Sequence, residues 1–468
     1  MNPYLSSREH IPDGEPHEFD GRVYVYGSHD KFKGSGYCLL DYVCYSAPVT
    51  DLNDWRYEGV IYKKTDDPDN RDGSMCLYAP DVTRGADGKY YLYYVLDKLP
   101  YISVARCDTP AGKYEFFGYV RYKDGVRAGE RPGEEAMFDP AVLTEGEITY
   151  LYSGFCMPDN RERHGMMVLT LDKDMLTVTG EPRTVVPSKP YSKGTGYEDH
   201  EYFEAPSIRK YDGIYYLIYS SIKCHELCYA TSTSPLKDFK YRGVIISNTD
   251  IGIGSYKDKD MPAFYGANNH GGIIRLSSGD EYVFYHRHTD GTNFSRQGCI
   301  EKIRIEEDGA IIQAEMTSTG AEPGNFRNPG LYPAYLACNL FCGKVQTYTG
   351  DPGTFLGPDF PRITEDGLDD LKDDGYITNM VNGTVCGFKY FDLINLKSVA
   401  VWLRGFVNGD LSVRSGLKGK ILGSVHIEKE NFWRRFEIPV EGINEKNASL
   451  YFEYRGSGAL QFEKFELI

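Results

Sequence analysis

Long apolar runs, positive charge and tryptophan are all scarce in this sequence. No uninterrupted apolar stretch approaches the roughly 18 residues that a membrane helix requires, which excludes such a helix. Lys and Arg number 52 against 68 Asp and Glu, a net charge of -16, so most of the surface would repel phosphate backbones and anionic membranes. We therefore expect neither nucleic acid nor a membrane as a partner.

The sequence also lacks the patterns of secretion and of zinc binding. Its first residues, MNPYLSSREHIPDGEP, contain no basic stretch followed by an apolar one, so we expect a cytoplasmic location. The 11 cysteines are an odd number, which favours reduced thiols over a disulfide framework. Two closely spaced cysteine pairs have no second ligand pair at zinc-site spacing, and we expect them to be buried thiols: Cys224 with Cys228, and Cys338 with Cys342.

The abundant residues point to β-structure, and a repeat indicates how the strands are arranged. Against 3 Trp there are 39 Tyr and 23 Phe, with 50 Gly and 24 Pro, a composition typical of β-rich proteins. A turn followed by an alternating aromatic strand occurs five times, in steps of 67, 58, 67 and 66 residues, beginning at Gly21, Gly88, Gly146, Gly213 and Gly279. Such a unit accommodates a four-stranded blade, and radial repetition of blades forms a propeller. We predict an all-β fold with a five-bladed β-propeller over residues 1–322.

One ionisable residue precedes each aromatic strand at a similar distance: Asp13, Asp81, Asp139, Glu204 and His270. In a propeller the strand at this position runs beside the central channel, so the five side chains would converge at one end of the axis. Each Asp alone could cap a turn beside Gly or Pro, but no packing requirement explains all five in one register.

Clustered carboxylates push their pKa values apart, so that one serves as a base while another stays protonated as an acid. Glycoside hydrolysis uses this arrangement, and a calcium or magnesium site is the competing use. Apolar neighbours raise a carboxyl pKa, which makes Glu204, beside Phe203 and Ala205, the candidate acid. Asp13, beside Gly14, is the candidate base.

The motifs IPDGEPH, FDPAVL, FEAPSIRKYDGIYYLIYSS and NNHGG resemble the blade motifs of glycoside hydrolase family 43. The resemblance implies a five-bladed propeller and an inverting hydrolase acting on arabinan, xylan and related polysaccharides. It implies that Asp13 is the general base and Glu204 the general acid, with Asp139 raising the pKa of the acid and orienting it. Asp81 would be structural or close to the substrate.

The same resemblance implies further contacts with the substrate. His270 would lie under the sugar site and contact a calcium ion or its waters, and Arg296 would contact the sugar. Tyr78 and Phe203 could stack on the sugar or simply pack. Where many members of the family have Asp-Pro, this chain has Asp-Gly-Glu-Pro, so Glu15 is a rival base.

Residues 331–468 break the blade period and contain short alternating strands, which predict an antiparallel β-sandwich. This region is similar to the family 6 carbohydrate-binding modules, which fold as jelly rolls. Those modules usually open with an acidic pair that serves a calcium site, and no such pair is present here. The domain could bind sugar on Trp402, Trp433 or Tyr376, or could only brace the propeller.

The predicted function is exo-acting release of terminal α-L-arabinofuranosyl residues from arabinoxylan or arabinan oligosaccharides. The alternatives are a β-1,4-xylosidase releasing xylose, an enzyme with both activities, and a propeller that binds sugar without hydrolysing it. The expected partners are pentose-containing oligosaccharides of plant hemicellulose. The expected cofactor is at most a calcium ion near His270.

Overall fold

The computed structural model describes residues 1–343, 360–367 and 375–468. Within these ranges the chain forms 29 β-strands and four short 3-10 turns, with no α-helix. No helix in the described residues is long and apolar enough to cross a membrane. The predicted all-β fold class is confirmed: the strands form a five-bladed propeller followed by a C-terminal β-sheet domain.

The first three blades are four-stranded antiparallel sheets built from consecutive strands. Blade 1 contains β1 (Glu15–Phe19), β2 (Arg22–Tyr26), β3 (Tyr42–Pro48) and β4 (Arg56–Tyr62). Blade 2 contains β5 (Asp81–Arg84), β6 (Tyr90–Val95), β7 (Ile102–Cys107) and β8 (Glu115–Tyr119). Blade 3 contains β9 (Ala141–Glu145), β10 (Ile148–Ser153), β11 (Gly165–Leu171) and β12 (Arg183–Pro187).

The last two blades complete the ring. Blade 4 contains β13 (Tyr202–Tyr211), β14 (Ile214–Ser221), β15 (Glu226–Ser232) and β16 (Lys240–Ser247). Blade 5 contains three described strands, β17 (Ile273–Arg275), β18 (Glu281–His288) and β19 (Arg296–Ile303). The first strands of neighbouring blades contact one another, so β1, β5, β9, β13 and β17 surround the axis.

The five aromatic strands of the sequence repeat are the second strands of the five blades. All six residues of β6, for example, are buried, because both faces of the sheet pack against neighbouring blades. The hairpin from β1 to β2 turns at Gly21, whose φ of 76° is readily adopted only by glycine. Tyr42, Tyr62 and Tyr94 form part of a buried aromatic cluster between blades 1 and 2.

Residues before β1 hold the first and last blades together without forming a described strand. The backbone N–H of Tyr4 donates to the Gly298 carbonyl at 3.3 Å. The Asn2 side-chain amide donates to the Ile300 carbonyl at 2.9 Å and accepts from the Ile300 N–H at 2.8 Å. Gly14 forms an isolated parallel bridge with Gly271. Blade 1 and blade 5 are therefore tied together by irregular backbone.

The C-terminal strands form one hydrogen-bonded sheet of ten strands. Two of them are long and irregular in register, β25 (Thr384–Gly405) and β28 (Glu430–Ser457), and they pair along most of their length. The others are β20 (Phe326–Arg327), β21 (Gly330–Pro333), β22 (Asn339–Cys342), β23 (Arg362–Thr364), β24 (Tyr376–Met380), β26 (Asn408–Ser415), β27 (Ile421–Ile427) and β29 (Leu460–Leu467).

This sheet shares its hydrophobic core with the propeller. One continuous cluster joins buried residues of blades 4 and 5, such as Ile218 and Val283, to buried residues of the C-terminal strands, such as Phe388 and Leu450. The two parts therefore bury apolar surface against each other rather than facing each other across a linker.

Candidate active site

A pocket of about 400 Å³ opens at the end of the channel where the ionisable register converges. Of the eight residues that the sequence assigned to the site, all except Asp81 line it: Asp13, Tyr78, Asp139, Phe203, Glu204, His270 and Arg296. Four of the five register residues thus meet at one cavity, and Tyr78, just before blade 2, lines it in place of Asp81.

Glu204 reaches the pocket because β13 is irregular there. The register of β13 against β14 shifts on both sides of Glu204, and the next residue, Ala205, has a left-handed φ of 65°. Such bulges occur beside active sites and re-aim one side chain. Burial, followed by the charge of Asp13, raises the pKa of the Glu204 carboxyl to about 8. Glu204 therefore holds a proton at neutral pH, as a general acid requires.

Asp13 is fixed from three sides and keeps its carboxylate at the pocket. Its φ of 58° is left-handed, a conformation that Asp tolerates better than most residues. Ser28 donates a hydrogen bond to Oδ2 at 2.6 Å, and Arg296 Nη1 donates to Oδ1 at 3.0 Å. The Asp13 backbone N–H donates to His286 Nδ1 at 3.4 Å. His286 Nε2 lies 2.7 Å from the Asn268 carbonyl, which accepts its hydrogen and so leaves Nδ1 as the acceptor.

Asp139 interacts electrostatically with both of the other carboxyl groups, Glu204 and Asp13. Its φ is 44°, and its Oδ2 accepts a hydrogen bond at 3.2 Å from the N–H of Ala205, the residue after Glu204. Burial, and then the charges of Glu204 and Asp13, raise the pKa of Asp139 well above its usual range. Asp139 thus contacts the backbone that carries Glu204, and the charge of Glu204 opposes the ionisation of Asp139.

Arg296 supplies the positive charge of the site. Its side chain is almost fully buried and forms a bidentate pair with Asp30, with Nε at 2.8 Å from Oδ2 and Nη2 at 3.0 Å from Oδ1. The guanidinium also stacks over the Tyr37 ring at 4.8 Å. This arrangement fixes the direction of the third contact, from Nη1 to Asp13.

Sequence reasoning missed Ser28 and Asp30, the two side chains that hold Asp13 and Arg296. Both belong to the segment GSHD directly after the first aromatic strand. The repeat pattern points to the ionisable residue before each aromatic strand, whereas Ser28 and Asp30 lie after the first of these strands. Polar residues at the other end of the strand could have been found by asking which side chains reach the same end of the channel.

Asp81 and Glu15 do not line the pocket, which favours the structural interpretation of Asp81 and Asp13 over Glu15 as the base. Asp81 is fully buried and accepts hydrogen bonds at 2.7 Å from the N–H groups of Val82 and Val142, so it joins blades 2 and 3. Glu15 is also fully buried and pairs with Arg209 at 2.8 Å. The rival base suggested by the Asp-Gly-Glu-Pro motif therefore has no access to the pocket.

Four aromatic rings from three blades form a continuous wall of the pocket. Consecutive ring centroids lie 5.6 Å apart from Tyr78 to Phe138, 5.2 Å from Phe138 to Phe155 and 5.2 Å from Phe155 to Phe203. Tyr78 and Phe203 thus pack within this wall and also face the cavity. An apolar wall opposite a charged floor suits a sugar ring, which has one apolar face and a polar rim.

The residues around His270 do not fit a calcium site. Calcium prefers six to eight oxygen ligands. His270 Nδ1 lies 3.9 Å from Asp13 Oδ1 and 3.8 Å from Asp139 Oδ2, but these oxygens already accept hydrogen bonds from Arg296 and Ala205. Burial lowers the pKa of His270. His270 is therefore a neutral residue in the wall of the pocket.

The aromatic candidates of the C-terminal sheet have cations over their rings. The Arg404 guanidinium lies 5.2 Å from the Tyr376 centroid and 4.2 Å from the Trp433 centroid. Above Trp402 the charged ends of Arg435 and Lys464 lie at 5.7 and 5.3 Å. These rings form cation–π contacts within the protein, so the geometry favours the bracing interpretation over a sugar platform. The resemblance of this region to family 6 carbohydrate-binding modules stays a prediction.

Known proteins resemble the chain over its whole length. A xylosidase/arabinosidase of Thermoclostridium stercorarium is 58% identical over 470 residues, covering 100% of this chain and 98% of that protein. A Bacillus subtilis arabinoxylan arabinofuranohydrolase structure, in complex with cellotetraose, aligns with a TM-score of 0.52 at 20% identity, covering 100% of this chain and 97% of that chain.

A family 43 β-xylosidase/α-arabinofuranosidase from a compost microbial metagenome, solved with xylotriose in a calcium-free form, has a TM-score of 0.52 at 26% identity over 67% of this chain and 97% of its own. The family model described as Glycosyl hydrolases family 43 matches residues 12–311, most of the propeller. With the carboxylate pocket inside the matched region, the chain is a glycoside hydrolase that belongs to family 43.

Proposed function

We propose that the protein is an inverting, exo-acting glycosidase that releases terminal α-L-arabinofuranosyl residues from arabinoxylan or arabinan oligosaccharides. The observation that carries the proposal is the pocket itself, in which three carboxylates and Arg296 surround one end of a cavity of about 400 Å³. A cavity of this size suits one terminal sugar together with the start of its leaving group.

The proposed reaction is a single displacement. Asp13, oriented by hydrogen bonds from Arg296 and Ser28, removes a proton from a water molecule that attacks the anomeric carbon. Glu204 gives its proton to the departing glycosidic oxygen, which takes the electron pair of the broken bond and leaves as a neutral hydroxyl group. Inversion requires about 6.5–9.5 Å between the two carboxyl groups to leave room for the water. Asp139 orients the acid through the Ala205 N–H, while burial and the charge of Asp13 raise the pKa of Glu204 and so keep it protonated.

A β-xylosidase, alone or combined with the first activity, is the second candidate. The printed name of the relative at 58% identity joins both activities, xylosidase and arabinosidase. The two pentoses present similar hydroxyl patterns to the same pocket, so both fit the residues described. Substrates of either kind would be pentose-containing oligosaccharides of plant hemicellulose.

Paired chromogenic arabinofuranoside and xyloside substrates test this proposal. The wild type should hydrolyse at least one, and the ratio of the two kcat/KM values assigns the pentose. Proton NMR of the first product formed should show the anomer opposite to that of the substrate. Retention of configuration, or release of neither pentose, would overturn the proposal.

Matched variants separate the two carboxylate roles. Glu204→Gln should lose about three orders of magnitude on substrates with a poor leaving group, but far less on a dinitrophenyl glycoside, which departs without protonation. Asp13→Asn should lose activity equally on both. Glu147→Gln, at an exposed turn, is the control and should behave as the wild type.

A further inference from the structure

Beyond the pocket, the channel contains a group of buried charges that the reaction does not use. Glu15, His17 and Asp81 each offer a ligand atom, and these atoms lie within 4.8 Å of one another. His17 Nε2 is 2.7 Å from Asp81 Oδ1, which joins blade 1 to blade 2. Such a cluster could hold a metal ion if it stood alone. It does not stand alone, because a guanidinium lies against it.

Arg209 reaches into this cluster from blade 4. Its Nη2 donates to Glu15 Oε2 and to the Pro16 carbonyl, both at 2.8 Å, and its Nη1 donates to the Ile208 carbonyl at 2.7 Å. Ser207 adds a hydrogen bond to the same Glu15 oxygen at 2.9 Å. Arg209 and Ser207 of β13 therefore bind the start of β1 through hydrogen bonds.

The proposed base lies just before β1, and the proposed acid lies within β13. Glu15 follows Asp13 by two residues, and Arg209 follows Glu204 by five residues within β13. We propose that the Glu15–Arg209 ion pair, in place of a divalent cation, ties the segment of Asp13 to the strand of Glu204 and so sets their separation. Arg209 is thus a positioning residue, and the inference rests on the roles proposed above for Asp13 and Glu204.

The space around the pair argues against an added cation. Glu15 is fully buried, Arg209 is 8% exposed, and the strand of blade 5 closes over them. A Cβ atom on Gly272 would lie 2.7 Å from both Glu15 Oε2 and Ser207 Oγ. A divalent ion bound to Glu15 would also lie next to the positive guanidinium, which like-charge repulsion opposes. Arg209 supplies a positive charge beside this buried carboxylate through Oε2, while Oε1 has no hydrogen-bond partner among the described residues.

Chelation tests the metal-free part of the proposal on the wild type. After dialysis against EDTA, kcat/KM and Tm should stay within about twofold and about 1 °C of the values in excess Ca²⁺, and calorimetric titration with Ca²⁺ should show no binding. Loss of activity or of Tm that Ca²⁺ restores would overturn the inference. Tm and calorimetry need no substrate, so this test stands even if neither pentoside is cleaved.

Variants test the positioning role. Arg209→Met leaves Glu15 buried without its partner and should lower both Tm and kcat, whereas the surface control Arg84→Met should change neither. Arg209→Lys keeps the charge and should recover Tm and part of kcat. The double variant Glu15→Met/Arg209→Met removes both charges and should recover Tm while kcat stays at least about tenfold low, with KM nearly unchanged.

The double variant also decides the matter if Arg209→Met does not fold. If the double variant recovers kcat together with Tm, or if folded Arg209→Met keeps wild-type kcat, the pair only stabilises the fold and the positioning role is wrong. Failure of the proposed function is recognised separately, because the wild type itself would then release neither pentose.

Discussion

At the scale of single residues, the backbone at or next to each of the three carboxyl groups has a strained conformation. Asp13, Asp139 and Ala205 have left-handed φ values of 58°, 44° and 65°. For Ala this conformation costs about 1–2 kcal/mol, since its Cβ crowds the following carbonyl. Such strain persists only where surrounding contacts enforce it, and it concentrates at active sites. Here it lies at or next to all three proposed catalytic groups.

The raised pKa of Glu204 predicts the alkaline limb of the pH profile. Because Glu204 must be protonated to act, and its pKa is raised to about 8, kcat/KM should fall above about pH 8 by tenfold per pH unit. The neighbouring charge that raises this pKa is Asp13, so the residual activity of Asp13→Asn should show the limb at lower pH. Exposed Asp54→Asn is the control, and equal profiles for all three proteins would contradict the assignment.

The same pKa predicts how stability depends on pH. The folded protein holds a proton on Glu204 between about pH 4.5 and about pH 8, where the unfolded carboxyl loses it. Stability therefore falls as pH rises through this window. Glu204→Gln cannot ionise and should raise Tm at pH 8 by at least about 2–4 °C, about 1 kcal/mol for a domain of this size. Calorimetry at pH 5 and pH 8 checks this, and a gain that is no larger at pH 8 would refute it.

At the scale of elements, one C-terminal strand supports the pocket wall. Phe360, just before β23, packs on the Tyr265 ring with centroids 6.2 Å apart. The Tyr265 hydroxyl donates to Asn293 Oδ1 at 2.7 Å, and Asn293 lines the pocket. The Asp290 N–H also donates to the Ile363 carbonyl of β23 at 2.7 Å. The strand thus holds the loop that leads into Arg296.

Removing one hydroxyl from this support should affect substrate binding. Tyr265→Phe keeps the ring packed on Phe360 but leaves Asn293 without that hydrogen bond, worth about 0.5–1.5 kcal/mol. We expect KM to rise several-fold with a small change in kcat. Tyr191→Phe, at a surface tyrosine that donates to the Arg161 carbonyl, is the matched control. An unchanged KM in Tyr265→Phe would show that the loop keeps its position without this hydrogen bond.

At the scale of the whole molecule, the propeller and the C-terminal sheet stabilise each other. Besides the shared apolar core, Lys389 of β25 lies buried 3.3 Å from Asp250 Oδ2 and 2.6 Å from Glu315 Oε1, both in the propeller part. Breaking a buried pair of this kind by removing one partner leaves a charge without compensation, which costs about 3–5 kcal/mol.

Deleting the C-terminal sheet should therefore unfold the propeller or make it aggregate. A chain ending at residue 325 would expose the blade 4 and blade 5 side of the core and leave Asp250 without Lys389. We expect low soluble yield, increased binding of a hydrophobic dye and a lower Tm than the full chain. A soluble, cooperatively melting propeller with wild-type kcat would show that the sheet is dispensable.

The sequence by itself determined the repeat and the register. Strand alternation and turn glycines are local properties, so five aromatic strands predicted five blades, and one ionisable position per blade predicted a shared cavity. The register grouped Asp13, Asp139 and Glu204 as neighbours, and the resemblance to family 43 added Arg296. These features repeat along the chain and could be predicted without knowing how the blades meet.

The tertiary structure alone decided which buried charges face substrate and which hold the fold. Asp81 and Glu15 resemble site residues in sequence, yet each accepts a hydrogen bond from another blade. Asp81 binds the N–H of Val142 in blade 3, and Glu15 binds Arg209 in blade 4. The support of Arg296 by Asp30 and the shared core of the two domains likewise join residues far apart in sequence. Pairing between charges far apart in sequence depends on how the blades close around the axis, and local sequence patterns do not predict that arrangement.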